Sequence, residues 1–239
     1  MLSFPVTDKP IKRPLLITHL TEGLRTFYEM VRSYKFRSNF EPQVMGDGHD
    51  VIVLPGFLGS DMMTKSLRKY LNRTGYKAHA WDLGQNLGDT EKVMPYLEER
   101  IDNLYAESGK KISLIGWSLG GIYARQLAKS KADKIRQVIT LCSPFKLKKE
   151  PNYATFTINL VYKLKNITPA PQELLDDMLN PPPVPSLSVF TKKDGIVPWE
   201  VCLETVCDQH KNAEVGCGHI AVIYNKDAYR LISENLPKK

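Results

Sequence analysis

The 239-residue sequence lacks the marks of several protein classes. Its four cysteines (142, 202, 207 and 217) are too few and too scattered for a disulfide scaffold, so we expect reduced thiols and a cytoplasmic location. No apolar run approaches the roughly 18 residues of a membrane span. The longest run near the start, Leu15-Leu16-Ile17, is too short for a signal-peptide core. The length suits one globular domain, with 42% hydrophobic residues to fill its core.

Metal and phosphate motifs are missing as well. The sequence contains no C-x2-C or H-x3-H pair, and a site or bridge built on Cys202, Cys207 and Cys217 is only a weak alternative. It contains no G-x4-G-K-S/T loop. A net charge of +7 could attract nucleic acid, but no groove-reading motif accompanies it. We therefore expect no metal, no cofactor and no nucleic-acid partner, and the oligomeric state stays open.

The positive charge is concentrated in two segments. Residues 1–40 hold seven basic and three acidic side chains, and residues 146–165 hold five basic and one acidic, so each segment carries +4. The rest of the chain sums to −1. Our hypothesis is that both basic segments lie near the entrance of the functional site. There Lys146, Lys148 and Lys149 would favour anionic substrates or an anionic lipid surface.

From residue 51 onward, short apolar runs alternate with longer amphipathic stretches. The runs predict buried strands at 51–54, 78–81, 112–115, 138–141, 187–190 and about 213–216. The stretches between them predict helices at about 61–74, 90–107, 119–131 and 220–236. This order predicts an α/β fold with a mostly parallel sheet of about six strands and helices on both faces. Ligand and catalytic groups are expected where the strands end.

Two segments interrupt this alternation and define the predicted organisation: an N-terminal helical segment (1–45), then an α/β domain (46–239). Within 15–37 one helical stripe is apolar, made of Leu16, Leu20, Leu24, Phe27, Val31 and Tyr34. We interpret it as the face that docks on the flank of the domain; a helix lying on a membrane surface is the alternative. Residues 146–185 are proline-rich, with helical patterning around 153–165, and are predicted to form a cap over the site.

The strongest chemical signal is Gly116-Trp117-Ser118-Leu119-Gly120, a G-x-S-x-G motif between a predicted strand and a predicted helix. A serine on such a sharp turn needs small residues on either side, and the turn lifts its hydroxyl clear of the sheet. The Leu119 amide would stand at a helix N-terminus, where an oxyanion is stabilised. The alternative is a tight glycine-rich turn with an idle serine. The motif predicts that Ser118 is a nucleophile.

A nucleophilic serine needs a base and an orienting acid. Of the five histidines, His219 follows the predicted last strand on a glycine-flanked loop and is preferred over His210, which stands among polar residues. His19, His49 and His79 are interpreted as structural or solvated. Asp194 follows the strand at 187–190, although an aspartate before glycine is also common in plain turns. The order Ser118, Asp194, His219 favours the catalytic interpretation. Asp176, Asp177 and Asp208 are weaker candidates for the acid.

The loop after the first strand, Pro55-Gly56-Phe57-Leu58-Gly59, is expected to supply a second oxyanion donor through the Phe57 amide. Phe57 and Trp117 are candidate walls of an acyl-binding pocket. Ordinary core or loop packing is an equal alternative for each of these two aromatic residues.

Together these motifs resemble the α/β-hydrolase superfamily, in particular small bacterial esterases and lipases. The similarity covers roughly residues 46–236, including Gly46-Asp47-Gly48-His49, Ser143-Pro144-Phe145 and Gly218-His219. It implies a Ser118/His219/Asp194 triad with the Phe57 and Leu119 amides as oxyanion hole. Many members have His-Gly before the oxyanion residue where this chain has Pro55-Gly56. Many also carry two further strands before the first one here, so the resemblance implies a truncated sheet.

The sequence therefore predicts a serine hydrolase that cleaves carboxylic esters through an acyl-enzyme and acts on a small acyl ester or a lipid. Alternatives are an interfacial lipase or phospholipase at an anionic lipid surface, a thioesterase or amidase, and a non-catalytic binding protein of the same fold.

Overall fold

The fold rests on one six-stranded sheet. The computed structural model describes residues 10–36, 45–147 and 150–236. The strands are β1 (Asp50–Leu54), β2 (Lys77–His79), β3 (Ile112–Trp117), β4 (Ile135–Leu141), β5 (Ser186–Phe190) and β6 (His210–Glu214). They lie in the order β2-β1-β3-β4-β5-β6, and every neighbouring pair is parallel. This confirms the predicted fold class. Strand β6 begins earlier than predicted and is polar, as suits an edge strand.

Eight helices accompany the sheet in the described residues. They are α1 (Leu16–Leu20), α2 (Glu22–Phe36), α3 (Asp61–Arg73), α4 (Thr90–Ser108), α5 (Leu119–Ser130), α6 (Ala154–Lys165), α7 (Gln172–Asp177) and α8 (Lys226–Asn235). Two 3-10 turns, Trp199–Cys202 and Ala221–Tyr224, complete them. The helix predicted at 220–236 is divided because the Asn225 side chain accepts hydrogen bonds from the Asp227 and Ala228 amides and so caps α8. In the ranges that the structure describes, none of the helices combines the length and the apolar character that a membrane span requires.

The core lies on both faces of the sheet. Val51 and Val53 of β1 join a cluster with α3 and α8, whereas Ile52 and Leu54 join a second cluster with α4 and α5. Because successive side chains of a strand point to opposite faces, a strand covered on both faces is apolar throughout. This is why continuous apolar runs predicted the central strands.

The N-terminal segment corrects the sequence prediction. Two helices, α1 and α2, replace the single predicted helix, and the apolar stripe faces outward: the exposed fractions are 58% for Leu16, 70% for Leu20, 71% for Leu24, 60% for Phe27 and 43% for Val31. The Tyr34 side chain lies outside the description. The prediction that this stripe packs on the domain is therefore wrong. Glu22, Glu29 and Ser33 are buried instead, because polar partners for α2 lie on the loops beneath it.

The cap predicted at 146–185 contains α6 and α7, between β4 and β5. Lys148 and Lys149 lie outside the described residues. At the cap's end, the buried Arg125 of α5 pairs with Glu204 and donates hydrogen bonds to the carbonyls of Met178 (3.4 Å) and Asn180 (3.0 Å). A buried guanidinium must satisfy its donors, so this network fixes where the chain returns from the cap to β5.

Candidate active site

Ser118 occupies the tight turn between β3 and α5. Its φ of 52° and ψ of −120° lie outside the regions that ordinary residues populate, at a cost of about 1–3 kcal/mol. A Cβ at Gly116 would stand 2.3 Å from the Gly120 oxygen, and one at Gly120 would stand 2.3 Å from the Leu54 oxygen. Larger residues at either position would therefore open the turn. The strain is sustained because the Ser118 amide donates to the Leu141 oxygen at 2.9 Å.

The structure brings Ser118, His219 and Asp194 into one hydrogen-bonded chain. The Ser118 Oγ lies 3.0 Å from His219 Nε2, and His219 Nδ1 lies 2.6 Å from Asp194 Oδ2. With the Nδ1 proton donated to the carboxylate, Nε2 is left to accept the serine proton. These contacts join residues 101 and 25 positions apart in the chain.

The loop after β5 orients Asp194. Its second oxygen, Oδ1, accepts hydrogen bonds from the Ile196 amide (2.8 Å) and the Val197 amide (2.9 Å). An aspartate at the start of such a turn bonds the backbone two or three residues ahead. Here that local turn leaves Oδ2 facing His219, so one side chain both shapes its loop and orients the imidazole.

Burial and charge act in opposite directions on His219. Burial disfavours the imidazolium, but the Asp194 carboxylate beside it and the nearby Glu22 carboxylate outweigh burial and raise the pKa of His219 above its ordinary 6.5. The Trp117 indole donates a hydrogen bond to the His219 carbonyl at 3.0 Å, which holds the histidine's backbone. The arrangement suits a base that becomes a cation during reaction.

The loop after β1 runs directly against the serine. A Cβ added at Gly56 would meet the Ser118 Cβ at 3.0 Å, so the backbone just before Phe57 packs against the serine. Asn86, fully buried and missed by sequence reasoning, fixes this loop. Its Nδ2 donates to the Pro55 oxygen (2.8 Å), its carbonyl accepts from the Leu58 amide (2.7 Å), and its amide donates to the Gly59 oxygen (2.8 Å).

The Leu119 amide is the first of helix α5. The first amides of a helix have no intrahelical partner and carry its positive dipole end, so this amide is suited to an anion. The Leu119 amide therefore suits the oxyanion role predicted for it, and Phe57, the other predicted donor, follows Gly56 directly in the chain. Their role in catalysis remains a proposal.

A cavity of about 270 Å³ opens at Ser118 beneath the cap. It is lined by Phe57 and Leu119 together with Met94, Ile122, Ile158, Tyr162 and Leu174, among others. No charged side chain is among the described residues that line it. Trp117 differs from its prediction, because its ring is buried under the 55–59 loop rather than forming a wall of the cavity. The cavity is suited to a neutral, apolar group.

The other histidines lie apart from this cavity. His210 is buried rather than solvated and bonds the Pro182 carbonyl at 3.1 Å. It stands at the amino end of the edge strand β6, whereas Ser118 follows the carboxyl end of β3, so the two lie at opposite ends of parallel strands. His79 pairs with Asp50 at 2.8 Å. His19 donates to the Gly195 carbonyl at 2.8 Å. Of the weaker acid candidates, Asp177 pairs with Lys129 on the cap.

Among the described residues, one cluster has the spacing of a metal site: Cys142, Asp194 and His219, whose ligand atoms lie within 4.8 Å of one another. Burial raises the pKa of the Cys142 thiol well above its ordinary value, whereas metals bind the thiolate. Asp194 and His219 are already bonded to each other. This donor set therefore suits a hydrogen-bonded pair better than a cation.

Curated esterases match part of this chain. The carboxylesterase of Bacillus subtilis is 29% identical over 113 residues, 44% of this chain and 45% of that enzyme. The pimeloyl-[acyl-carrier protein] methyl ester esterase of Aliivibrio fischeri is 27% identical over 101 residues, 42% of this chain and 39% of that enzyme. The chain thus spans about two fifths of the length of the curated esterases it matches.

Solved structures share the fold over most of the chain. The monoacylglycerol lipase of Paleococcus ferrophilus superposes with a TM-score of 0.60 at 19% identity, covering 80% of this chain and 96% of the lipase. A lipase of Bacillus licheniformis gives 0.61 at 14% identity, covering 83% and 96%. The family model of the PGAP1-like alpha/beta domain matches residues 46–180, more than half of the chain. The chain is therefore a member of the PGAP1-like alpha/beta domain family, in the α/β-hydrolase superfamily.

Proposed function

We propose that the protein is a serine hydrolase that cleaves carboxylic esters. The observation that carries this proposal is the continuous chain from Asp194 through His219 to Ser118, with its serine at the floor of an apolar cavity. A strained serine, an imidazole beside it that can act as a base, and helix-end amides are the parts that acyl transfer requires. The esterases and lipases that resemble the chain support the same reaction class.

In the proposed reaction, the Ser118 hydroxyl attacks the acyl carbon while His219 Nε2 takes its proton. The Phe57 and Leu119 amides donate to the oxyanion, and Asp194 stabilises the imidazolium. The imidazolium then protonates the leaving alcohol. Water, deprotonated by His219, releases the acid from Ser118. These steps need no cofactor.

Covalent labelling tests the proposal directly. A fluorophosphonate reacts with an activated serine, so wild-type protein should be labelled on the peptide that contains Ser118, and Ser118→Ala should not be. Failure of the folded wild-type protein to react would overturn the proposal and favour a non-catalytic binding protein. A panel of p-nitrophenyl esters, thioesters and anilides then distinguishes esterase, thioesterase and amidase action. We expect preference for short or medium acyl chains, because the cavity is just below the roughly 300–1,000 Å³ of typical small-molecule pockets.

A second candidate, action at a lipid surface, is favoured by the outward apolar faces of two neighbouring helices. Leu20, Leu24 and Phe27 are exposed on α1 and α2, and Phe156 and Leu164 are exposed on cap helix α6. These helices adjoin, since His19 stacks on Tyr153 with ring centroids 3.9 Å apart. Apolar faces flanked by lysine and arginine are typical of helices that lie on anionic membranes.

Flotation with vesicles tests this candidate. The protein should float with phosphatidylglycerol vesicles at low salt, and less with phosphatidylcholine vesicles. Leu24→Ser combined with Phe27→Ser should abolish flotation, whereas Met62→Ser, which removes an exposed apolar side chain from α3, should not. Absence of wild-type flotation would contradict the interfacial alternative and leave a small-ester hydrolase. The four free cysteines agree with our proposal of a cytoplasmic location.

A further inference from the structure

We propose that Glu22, on α2, is a positioning residue whose carboxylate joins the Asp194 loop to the His219 loop and adds a second negative charge beside the imidazole. This inference rests on the proposed function. It extends the site to a helix outside the segment that matches the family model.

Glu22 reaches the backbone on both sides of the catalytic pair. Its Oε1 accepts a hydrogen bond from the Ile220 amide at 2.9 Å, the residue after His219. A Cβ at Gly218 would lie 2.6 Å from Glu22 Oε1, and a Cβ at Gly195 would lie 2.8 Å from Glu22 Oε2. The residues that flank Asp194 and His219 are glycines where this carboxylate approaches, so the two loops close around it.

Neighbours on the N-terminal helices secure the same loops. Arg25 pairs with Glu22 at 2.5 Å and donates to the Lys193 carbonyl at 2.6 Å, one residue before Asp194. His19 donates to the Gly195 carbonyl, one residue after it. Thr191 joins the loops from inside by donating to the Cys217 carbonyl at 2.6 Å. The polar face of α1 and α2 thus contacts the backbone on either side of Asp194.

A buried carboxylate is costly unless its partners are strong. Burial raises the pKa of Glu22, while the Ile220 amide and Arg25 oppose that rise and favour the charged form. A carboxylate is also favoured in the first turn of a helix, which is where Glu22 stands. A side chain that only docked the helix could have been apolar, like the residues on its outer face. We attribute the buried charge to the groups that Glu22 faces, which are the Ile220 amide and the His219 imidazole.

The charged and titratable groups around His219 come from five places: helix α2, the β3–α5 turn, and the loops after β4, β5 and β6. Asp194 and Glu22 are acidic and favour the imidazolium, and Arg25 opposes them from behind Glu22. Burial raises the pKa of the Cys142 and Cys217 thiols, so both are neutral. Ser118 is the proton donor itself. Removal of the Glu22 charge is therefore expected to make the His219 imidazolium easier to deprotonate.

Two substitutions separate charge from hydrogen bonding. Glu22→Gln keeps an oxygen for the Ile220 amide but loses the charge, and Glu22→Ala loses both. Glu29→Gln is the matched control, because Glu29 is buried on the same face of α2, and its contacts are with Asn225 and Arg32. For each variant, kcat/KM for p-nitrophenyl acetate is measured against pH, and thermal unfolding verifies that the protein is folded.

Glu22→Gln should shift the acidic limb of the profile to lower pH, and Glu22→Ala should in addition lower the plateau about tenfold, the size of one charged hydrogen bond. Glu29→Gln should change neither. Equal rates and an unmoved limb in both Glu22 variants would overturn the proposal, as would the same loss in Glu29→Gln. Fluorophosphonate labelling distinguishes the two failures, because an unreactive wild-type serine would contradict the proposed function itself.

Discussion

Strand β3 carries a Ser-His-Asp arrangement at each of its ends. At its carboxyl end, Ser118 bonds His219, which bonds Asp194. At its amino end, Ser113 Oγ lies 2.8 Å from His49 Nε2, and His49 Nδ1 lies 2.5 Å from Asp47. In both cases the histidine follows a glycine in the chain. The distances alone do not distinguish a reactive triad from a structural one.

The surroundings distinguish the two arrangements. Ser113, on β3, and His49, directly before β1, are fully buried, whereas Ser118 stands on a strained turn at a helix N-terminus and lines a cavity. The electrostatics are opposite as well. Burial lowers the pKa of His49 with help from the Arg136 cation, against the pull of Asp47, whereas the pKa of His219 is raised. Access to a cavity, backbone strain and a helix N-terminus therefore mark the candidate catalytic serine.

The largest difference in kcat/KM is expected between two single variants, in each of which one of the two serines is replaced by alanine. Ser118→Ala should lower kcat/KM for p-nitrophenyl acetate by at least about a thousandfold, because it removes the hydroxyl that His219 activates. Ser113→Ala should leave kcat/KM within about twofold, since it touches no substrate. Steady-state kinetics on both variants measure this. Loss of turnover in a folded Ser113→Ala protein would contradict the distinction between a catalytic Ser118 and a structural Ser113.

Substitution of the two histidines should affect different quantities: His49→Ala should lower stability, and His219→Ala should lower the rate of hydrolysis. His49→Ala removes a buried ring and its hydrogen bonds, so the free energy of unfolding should fall by about 3 kcal/mol while kcat/KM is retained. His219→Ala should abolish turnover, because no base remains for Ser118. Urea unfolding beside kinetics provides the measurement. Retained hydrolysis in His219→Ala would remove the triad from the mechanism.

The glycines before the histidines provide a finer comparison. Gly218→Ala would push against Glu22 and shift His219, so kcat/KM should fall about tenfold. Gly48 has a φ of 76° with open space around it, so Gly48→Ala should cost only about 1 kcal/mol of stability and leave the rate unchanged. Gly216→Ala, also in open space, is the control within the His219 loop.

The smallest difference is one of titration. Histidine NMR should place the pKa of His219 above 6.5 and that of His49 below it. Activity should be lost as pH falls through the raised pKa of His219, because its base form disappears. Stability due to His49 should be lost as pH falls below its unfolded value, whereas stability due to His219 should be lost as pH rises through its folded value. Coincident titrations would contradict the comparison.

The sheet and the order of its elements could be predicted from the sequence, because strands covered on both faces form continuous apolar runs. The positions of Ser118, Asp194 and His219 followed from where strands end, and the structure brings these three together. Local pattern was sufficient wherever a residue's surroundings are set by its own strand or turn.

The prediction failed where distant segments meet. The apolar stripe of α2 indicated the buried face, but the partners of α2 are loop carbonyls and amides, so Glu22 and Arg25 face inward. A second, polar stripe at 22, 25, 29 and 33 was the available signal. Asn86 bonds the 55–59 loop from a segment with no motif of its own, so nothing in its neighbourhood indicated that role.

The contact between Glu22 and Ile220 spans 198 positions, which has a consequence for how the protein is made. Helix α2 leaves the ribosome well before its partners on the His219 loop, which are synthesised 198 positions later. Docking must wait until long-range contacts close, and such contacts form slowly. During that interval the helix exposes its polar face and its apolar face together. Docking covers only the polar face, because the apolar side chains of α2 remain exposed in the folded protein, so the contacts of α2 with the His219 loop are among those that form late.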